Sequence, residues 1–373
     1  MARAIQLAEK GLYTTQPNPR VGCVIVADNQ GVGEGYHQLA GGPHAEIHAL
    51  HQAGNQAQGA TAYVSLEPCS HQGKTPPCAD ALISAGVSRV VCAMQDPNPL
   101  VSGQGLKKLE QAGINTQSGL LQAEAEALNP GFIKRMKSGL PYVRVKLAMS
   151  LDGRSAMASG ESKWITGEAA RADVQALRAR SSVVLTGSGT VLADNPSMNV
   201  RLSRADFGIE VQAHQPLRAI VDGELKVPAE CKIFQPQPCP QSREEKTAQC
   251  IVFTHKNLNT GEMVVEEANN RLRVNPGVCE GKIDLSAMLQ WLAAQQQANE
   301  VHVEAGSVLC GALLAQRLVD EIVIYMAPHI MGDSAKGLFH LPELNAMRER
   351  VSLEIKEIRP IGKDWRITAV PVY

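Results

Sequence analysis

The first eighty residues carry one histidine and two cysteines at a spacing that suits a metal ion. His44 and Glu46 lie in the segment Pro-His-Ala-Glu, and Cys69 and Cys78 follow in Pro-Cys-Ser-His-Gln-Gly-Lys-Thr-Pro-Pro-Cys. An imidazole and two thiols are ligands that zinc prefers. Three protein ligands leave a fourth tetrahedral position for water, which is typical of a catalytic zinc site. Glu46, two residues after His44, is placed to move protons to and from that water.

The order of these residues also indicates a reaction. His-x-Glu followed by Pro-Cys and a second Cys is the signature of zinc enzymes that deaminate nucleobases. A zinc protease is the nearest alternative, but its His-Glu-x-x-His motif needs Glu at position 45, where this chain has Ala. If these residues only packed in the core or lay on the surface, the four would have to occur in this order by chance. The motif therefore predicts hydrolytic removal of an exocyclic amine from a nitrogen heterocycle.

Length and composition limit the class of protein. The 373 residues exceed the usual size of a single core, so two domains are expected. A net charge of −1 and 4% aromatic residues argue against nucleic-acid binding. Because the chain has no apolar run of membrane-spanning length and no leader pattern, we expect a cytoplasmic protein with no membrane partner. An odd count of nine cysteines indicates free thiols rather than a disulfide framework.

Helix and strand signals alternate in both halves, which predicts an α/β layer fold. In the first half we expect strands at 22–27, 61–66 and 89–94, a helix at 45–53 and a single closing helix over 121–137. The helix-breaking segment Ser-Gly-Leu-Pro at 138–141 then marks the domain boundary. The predicted domains are residues 1–139 and 140–373.

Two glycine-bearing turns stand out in the second half, at 186–190 (Thr-Gly-Ser-Gly-Thr) and 304–307 (Glu-Ala-Gly-Ser). Each is predicted to join a strand to a helix. Glycine lets the backbone approach a ligand closely, and a helix N-terminus presents free N–H groups to phosphate. Neither turn matches the Rossmann pattern Gly-x-Gly-x-x-Gly, so a simple tight turn is an equal alternative for each. As a pair on successive strands they are compatible with a dinucleotide site.

Eight motifs occur together over nearly the whole chain: Pro17-Asn18-Pro19-Arg20-Val21-Gly22, Pro43-His44-Ala45-Glu46, Glu67-Pro68-Cys69-Ser70-His71, Thr75-Pro76-Pro77-Cys78, Lys146-Leu147-Ala148-Met149-Ser150-Leu151-Asp152-Gly153-Arg154, Ser159-Gly160-Glu161-Ser162-Lys163-Trp164-Ile165-Thr166, Thr190-Val191-Leu192-Ala193-Asp194-Asn195-Pro196 and Val303-Glu304-Ala305-Gly306. With them the sequence resembles the bifunctional riboflavin biosynthesis enzymes. The resemblance implies an α/β chain with a cytidine deaminase-like α/β/α N-terminal domain. A dihydrofolate reductase-like C-terminal domain would follow it.

The resemblance also implies two reactions and two cofactors. The first is zinc-dependent hydrolytic deamination of 2,5-diamino-6-ribosylamino-4(3H)-pyrimidinone 5′-phosphate, with one zinc ion per chain. The second is NADPH-dependent reduction of the ribosyl chain to ribityl. The partners would be small phosphorylated pyrimidines, and the chain is also compatible with a homo-oligomer. The alternative is a nucleobase or nucleic-acid deaminase with a non-catalytic second domain, which would not bind NADPH.

Carried over by position, the resemblance assigns roles to individual residues. The zinc ligands would be His44, Cys69 and Cys78, with Glu46 as the catalytic proton shuttle. The residues around NADPH would be Ala148, Trp164, Thr190, Asp194, Gly306, Ser307, Val308, Leu309, Cys310, Gly311 and Ala312. Those that contact the substrates would be Asn18, Ser162, Arg178, Met198, Arg201 and Glu304. Lys146 and Glu304 are both candidates for the proton donor in the reduction.

Overall fold

The structure is a computed structural model that describes residues 1–71, 76–99, 101–203, 205–206, 208, 213–236, 250–256, 265–268 and 271–373. The chain forms two compact units. The first comprises Met1–Leu140 with Ser203–His214, and the second comprises Pro141–Leu202 with Gln215–Tyr373. Within the described residues, no helix is both long and apolar enough to cross a membrane.

The first unit is built on a five-stranded sheet with the strand order β2-β1-β3-β4-β5. Its strands are β1 (Gly22–Ala27), β2 (Gln30–Tyr36), β3 (Thr61–Val64), β4 (Arg89–Cys92) and β5 (Asn115–Ser118). Its helices are α1 (Ala2–Glu9), α2 (Ala45–Ala53), α3 (Cys78–Ser84), α4 (Gln104–Gln111), α5 (Gln122–Leu128) and α6 (Pro130–Ser138). β1 runs antiparallel to β2 and β3, whereas β3, β4 and β5 are parallel. This confirms the predicted α/β class.

Glycines in β2 bring helix α2 unusually close to the sheet. A Cβ atom at Gly33 would lie 2.2 Å from the carbonyl oxygen of Ala49, and one at Gly35 would lie 2.3 Å from that of Ala45. Real Cβ atoms are not found at such distances, so only glycine fits at these two positions. β2 has few apolar side chains for the same reason, and it was therefore not predicted from the sequence. The two glycines therefore let the backbone of α2 pack directly against β2.

The single helix expected over 121–137 is wrong, because two helices, α5 and α6, occupy that stretch. Pro130 is the first residue of α6, since proline has no backbone N–H and cannot continue the preceding helix. Asn129, between the helices, binds the backbone of Arg20 with its side-chain amide: Oδ1 accepts from the Arg20 N–H at 2.8 Å, and Nδ2 donates to the Arg20 carbonyl at 2.9 Å. Asn129, which lies where the two helices meet, thus fixes the loop that carries Asn18.

The second unit is built on a ten-stranded sheet with the order β11-β12-β10-β9-β8-β15-β6-β16-β19-β18. Its elements are β6 (Tyr142–Ser150), β7 (Arg154–Ala156), α7 (Glu168–Ala179), β8 (Val183–Gly187), α8 (Ser188–Asp194), β9 (Leu217–Val221), β10 (Cys250–Phe253), β11 (Val265–Ala268), β12 (Arg271–Val274), β13 (Val278–Cys279), β14 (Lys282–Ile283), α9 (Leu285–Gln295), β15 (Glu300–Val303), α10 (Ser307–Ala315), β16 (Glu321–Ala327), β17 (Lys336–Gly337), β18 (Ser352–Ile361) and β19 (Asp364–Val372). The central strands from β12 to β16 are parallel. β18 and β19 form an antiparallel hairpin at one edge of the sheet.

Helix α7 packs on one face of this sheet. Its residues Ala170, Val174 and Leu177 form a buried cluster with Val323 and Tyr325 of β16. Side chains of residues directly paired on neighbouring strands share a face, and Lys146 of β6 is paired with Val323. Lys146 therefore lies on the face that α7 covers.

Candidate metal centre and reductase site

The three predicted zinc ligands lie together in the first unit. His44 immediately precedes α2, Cys78 is the first residue of α3, and Cys69 lies in the loop after β3. Nδ1 of His44 is 3.7 Å from Sγ of Cys69 and 3.3 Å from Sγ of Cys78. All three donor atoms lie within 4.8 Å of one another. Ordinary zinc bond lengths in a tetrahedron separate sulfur and nitrogen by about 3.5 Å, so this donor set fits a zinc ion.

The surroundings of Cys69 favour its thiolate form, which is the form that binds a metal. The backbone N–H of Cys78 donates to Sγ of Cys69 at 3.3 Å. The pKa of Cys69 is lowered, first because the Cys78 thiol donates to its sulfur and then because the His44 ring does. A thiol that loses its proton so readily is suited to metal binding near neutral pH.

Glu46 lies in the first turn of α2, two residues after the ligand His44. Its side chain is almost fully buried, and Oε2 has no hydrogen-bond partner among the described residues. Burial raises the pKa of Glu46 to about 7. A buried carboxyl oxygen without a partner, next to a metal-ligand set, has the position and the proton affinity of a general acid–base group.

Asn18 is oriented by His37, a residue that the sequence reasoning did not identify. Nδ1 of His37 is 3.1 Å from the carbonyl oxygen of Pro43, so it must carry the proton. Nε2 of His37 is then an acceptor, and Nδ2 of Asn18 donates to it at 3.1 Å. The ring of His37 also contacts that of His44 edge to face, with centroids 5.3 Å apart. The amide of Asn18 is thus fixed beside the metal ligands.

In the second unit the two glycine turns lie side by side. β8 and β15 are parallel neighbours, and the Glu304 N–H donates to the Leu185 carbonyl at 2.9 Å. A Cβ atom at Gly187 would lie 3.6 Å from Cδ2 of Leu309. At Gly306, by contrast, an added Cβ atom would meet no described atom within 4 Å. Both turns therefore lie at the carboxyl edge of the sheet, and the second one faces open space.

Two other predicted cofactor residues are brought together by Lys163. Its Nζ lies 3.1 Å from the carboxylate of Asp194 and 3.2 Å from the carbonyl oxygen of the same residue. Trp164, the next residue, is 71% exposed, with the guanidinium of Arg171 4.6 Å from its ring centroid. Because Asp194 ends α8, which also carries Thr190, this contact ties the loop of Trp164 to the first glycine turn.

The remaining predicted cofactor residues differ in exposure. Ala148 is half-buried in β6, and Val308 is exposed in the first turn of α10. Cys310 and Gly311 are buried, and a Cβ atom at Gly311 would lie 2.2 Å from the carbonyl oxygen of His340. The buried side of α10 therefore packs against the segment around His340. Gly306 and the half-buried Ser307 lie at the N-terminus of the helix, which faces open space.

Four of the five predicted substrate residues of the second unit, all except Ser162, form a cluster around Arg178. Its guanidinium donates to the two carboxylate oxygens of Glu304 at 2.5 and 2.8 Å. It also contacts Sδ of Met198 at 3.8 Å and donates to the carbonyl oxygen of Asn199 at 3.0 Å. The carboxamide oxygen of Asn199 accepts from Arg201 at 3.2 Å.

Ser162, the remaining predicted substrate residue of this unit, lies in the loop before Lys163 and is half-buried. Within the described residues, it shares no hydrogen bond with the cluster around Arg178.

Lys146 has a different environment from Glu304. The Arg178 ion pair, which outweighs the effect of burial, holds the pKa of Glu304 well below its usual range. Nζ of Lys146 lies 5.7 Å from the ring centroid of Tyr325, and within the described part of the chain no carboxylate is at ion-pair distance. Burial lowers the pKa of Lys146.

The comparisons with known proteins agree with this geometry. The family model for the cytidine and deoxycytidylate deaminase zinc-binding region matches residues 1–94, and the RibD C-terminal domain matches residues 141–367. The riboflavin biosynthesis protein RibD of Escherichia coli K12 is 49% identical over 98% of this chain and 96% of its own length.

Solved structures that are similar over the whole chain include one from Acinetobacter baumannii and one from Thermotoga maritima. Acinetobacter baumannii RibD, form 1, is 42% identical with a TM-score of 0.87, covering 100% of this chain and 98% of that one. A diaminohydroxyphosphoribosylaminopyrimidine deaminase/5-amino-6-(5-phosphoribosylamino)uracil reductase of Thermotoga maritima is 32% identical with a TM-score of 0.82, covering 100% and 97%. These matches confirm a deaminase-like domain followed by a dihydrofolate reductase-like domain. The chain therefore belongs to the RibD family and is a bifunctional deaminase and reductase of riboflavin biosynthesis.

Proposed function

We propose that residues 1–139 deaminate 2,5-diamino-6-ribosylamino-4(3H)-pyrimidinone 5′-phosphate and that residues 140–373 reduce the ribosyl chain of the product with NADPH. The observation that supports this most strongly is the donor set of His44, Cys69 and Cys78 next to the unpartnered carboxyl oxygen of Glu46. The similarity to the Thermotoga maritima enzyme supports the same two substrates.

In the deaminase site, His44, Cys69 and Cys78 would hold one zinc ion. Zinc supplies a Lewis acid that lowers the pKa of bound water toward neutrality. Glu46 takes a proton from the attacking water and returns one to the departing ammonia, a role that suits a carboxyl with a pKa of about 7. Oδ1 of Asn18 has no donor among the described residues, so it can accept a hydrogen bond from the pyrimidine while His37 holds the amide.

The metal assignment is tested by replacing Cys69 or Cys78 with Ser in the full chain. We expect each variant to lose stoichiometric zinc and deaminase activity, because a hydroxyl is a much weaker zinc ligand than a thiolate. Cys279, an exposed free thiol of the other unit, provides a control as Cys279→Ser. Stoichiometric zinc in both single variants would refute the ligand set.

In the reductase site, the helix start at Gly306 and the adjacent turn at Gly187 would receive the phosphates of NADPH, since backbone N–H groups and open space suit an anion there. Trp164, Thr190 and Asp194 lie along the same edge. Arg201 is exposed beside the Arg178–Glu304 pair and would bind the phosphate of the substrate through a charge-assisted contact.

Of the two candidate proton donors, we favour Lys146. Glu304 is held as a carboxylate by Arg178, so it has no proton to give. Lys146 is a half-buried amine with a lowered pKa and no ion-pair partner within the described residues, so it can release a proton to the substrate. NADPH supplies the hydride, and these side chains orient the substrate and complete the proton balance.

A further inference from the structure

A buried carboxylate next to the metal-ligand set has no part in the chemistry described so far. Glu67 lies two residues before Cys69 and is 5% exposed. Its Oε2 accepts from the backbone N–H groups of Asp96 and Gly103 at 3.0 and 2.9 Å. Its Oε1 accepts from those of Gly105 and Leu106 at 2.8 and 3.3 Å. Four backbone donors thus converge on one side chain from a segment 29 to 39 positions away.

Two of these donors belong to the first turn of helix α4. The first N–H groups of a helix have no partner within it and carry partial positive charge. The residue before α4 is Gly103, which has no side chain to cap them. Glu67 therefore supplies the cap from a distant part of the sequence.

The backbone beside Glu67 is packed against α4 without free space. A Cβ atom at Gly105 would lie 2.0 Å from the carbonyl oxygen of Pro68 and 3.1 Å from Oε1 of Glu67. The Glu67 N–H also donates to the Met94 carbonyl at 3.0 Å. The residue after Pro68 is the ligand Cys69, so the position of this thiol depends directly on these contacts.

On its other side, Cys69 is held by α3. Its carbonyl oxygen accepts from the Ala79 N–H at 3.1 Å, and its sulfur accepts from the Cys78 N–H at 3.3 Å. The Cys69 segment therefore has two supports, one from α3 and one from Glu67. Without the Glu67 carboxylate, α4 would lose its cap, and the Cys69 segment would be held only by its backbone contacts and by α3.

We propose that Glu67 is a positioning residue for the metal site: its carboxylate fixes Cys69 relative to His44 and Cys78 by binding the backbone N–H groups of Asp96, Gly103, Gly105 and Leu106. This inference rests on the proposed zinc site. It identifies a chemical requirement, since a carboxyl group of this length places two acceptor oxygens within reach of four N–H donors. A glutamine would turn its NH₂ group toward two of them.

The test is the rate at which zinc passes from the full-length holoenzyme to a chromogenic chelator. Partners that orient metal ligands typically change metal affinity by about 10- to 100-fold. We expect Glu67→Gln to speed zinc loss within that range, and Glu67→Asp, which keeps the charge, to be intermediate. Glu110→Gln is the matched control, because Glu110 lies on the same helix but its side chain is exposed and, among the described residues, hydrogen-bonds only to Thr116.

A circular dichroism spectrum and a urea unfolding midpoint of the first unit that match the wild type should show that its fold is intact in each variant, and unchanged reduction of the already deaminated substrate should show the same for the second unit. If Glu67→Gln does not yield folded protein, the Asp variant gives the result by the same assay. Zinc loss from Glu67→Gln and Glu67→Asp at the wild-type rate would overturn the inference while leaving the ligand set intact. A wild-type protein that binds no zinc would overturn the metal site itself and, with it, this role of Glu67.

Discussion

The carboxylate of Glu304 receives two hydrogen bonds from the guanidinium of Arg178, at 2.5 and 2.8 Å, and both side chains are largely buried. The pair links helix α7 to the end of β15, where the second glycine turn begins. Glu304 is therefore a fixed negative charge in the reductase site.

The first prediction concerns the stability of this pair. Arg178→Met leaves the buried Glu304 carboxylate without its partner, which typically costs about 3–5 kcal/mol. We expect a loss of this size in the free energy of unfolding of the second unit, measured with urea. The double variant Arg178→Met/Glu304→Gln should recover part of it, since the uncompensated charge is gone. A loss below about 1 kcal/mol in the single variant would contradict a buried, mutually dependent pair.

The second prediction concerns the pH dependence of the reduction. Lys146 must carry its proton to act as the donor, and burial lowers its pKa from the ordinary 10.5. The rate of reduction should therefore fall as the pH rises through a value below 10.5. Lys146→Met should remove most of the activity and abolish this alkaline limb, while NADPH binding measured by fluorescence persists. An unchanged alkaline limb in Lys146→Met would assign the proton to another group.

The third prediction concerns the orientation of Asn18. In His37→Phe the acceptor for Nδ2 of Asn18 is gone, so the amide can rotate. One hydrogen bond of this kind is worth about 0.5–1.5 kcal/mol, so the KM for deamination should rise about 2- to 10-fold. Asn18→Ala should raise the KM at least as much, and the two changes together should not add. Fully additive effects would show that His37 acts independently of Asn18.

The metal ligands could be predicted from the sequence because their order and chemistry are local and specific. Helix α2 was predicted over its full range, and His44 and Glu46 lie at its start. β2 was not predicted because it lacks the apolar side chains that usually indicate a strand. Gly33 and Gly35 stand in their place, since the backbone of α2 leaves no space for a side chain there. The alternation of glycine in that segment was the available signal.

Other features depend on residues far apart in the sequence, so no local pattern reveals them. The capping of α4 by Glu67 and the binding of Arg20 by Asn129 join positions separated by as many as 39 and 109 residues. The predicted domain boundary rests on the helix-breaking segment at 138–141. That segment gives no indication that Ser203–His214 belongs to the first unit. Such contacts become visible only when the fold is known.

The fourth prediction concerns the cofactor. A Cβ atom at Gly306 meets no described atom, so Gly306→Val should fold normally while its side chain fills the space in front of α10. The dissociation constant for NADPH should rise, and deamination should be unaffected. Gly31→Val is a suitable control, because Gly31 also faces open space but lies in β2 of the first unit. Normal NADPH affinity in Gly306→Val would exclude this turn from the cofactor site.

We propose that deamination and reduction take place at separate sites, and Glu46→Gln should separate the two activities. The amide is nearly isosteric with the carboxyl but cannot carry the proton, a role worth about 10²–10⁴-fold in rate. Each step is assayed separately, with the zinc content of the same preparation measured alongside. We expect zinc to be retained, deamination to fall by that factor, and reduction of the already deaminated substrate to proceed at the wild-type rate. Deamination within a few-fold of wild type, or a parallel loss of reduction, would contradict the account.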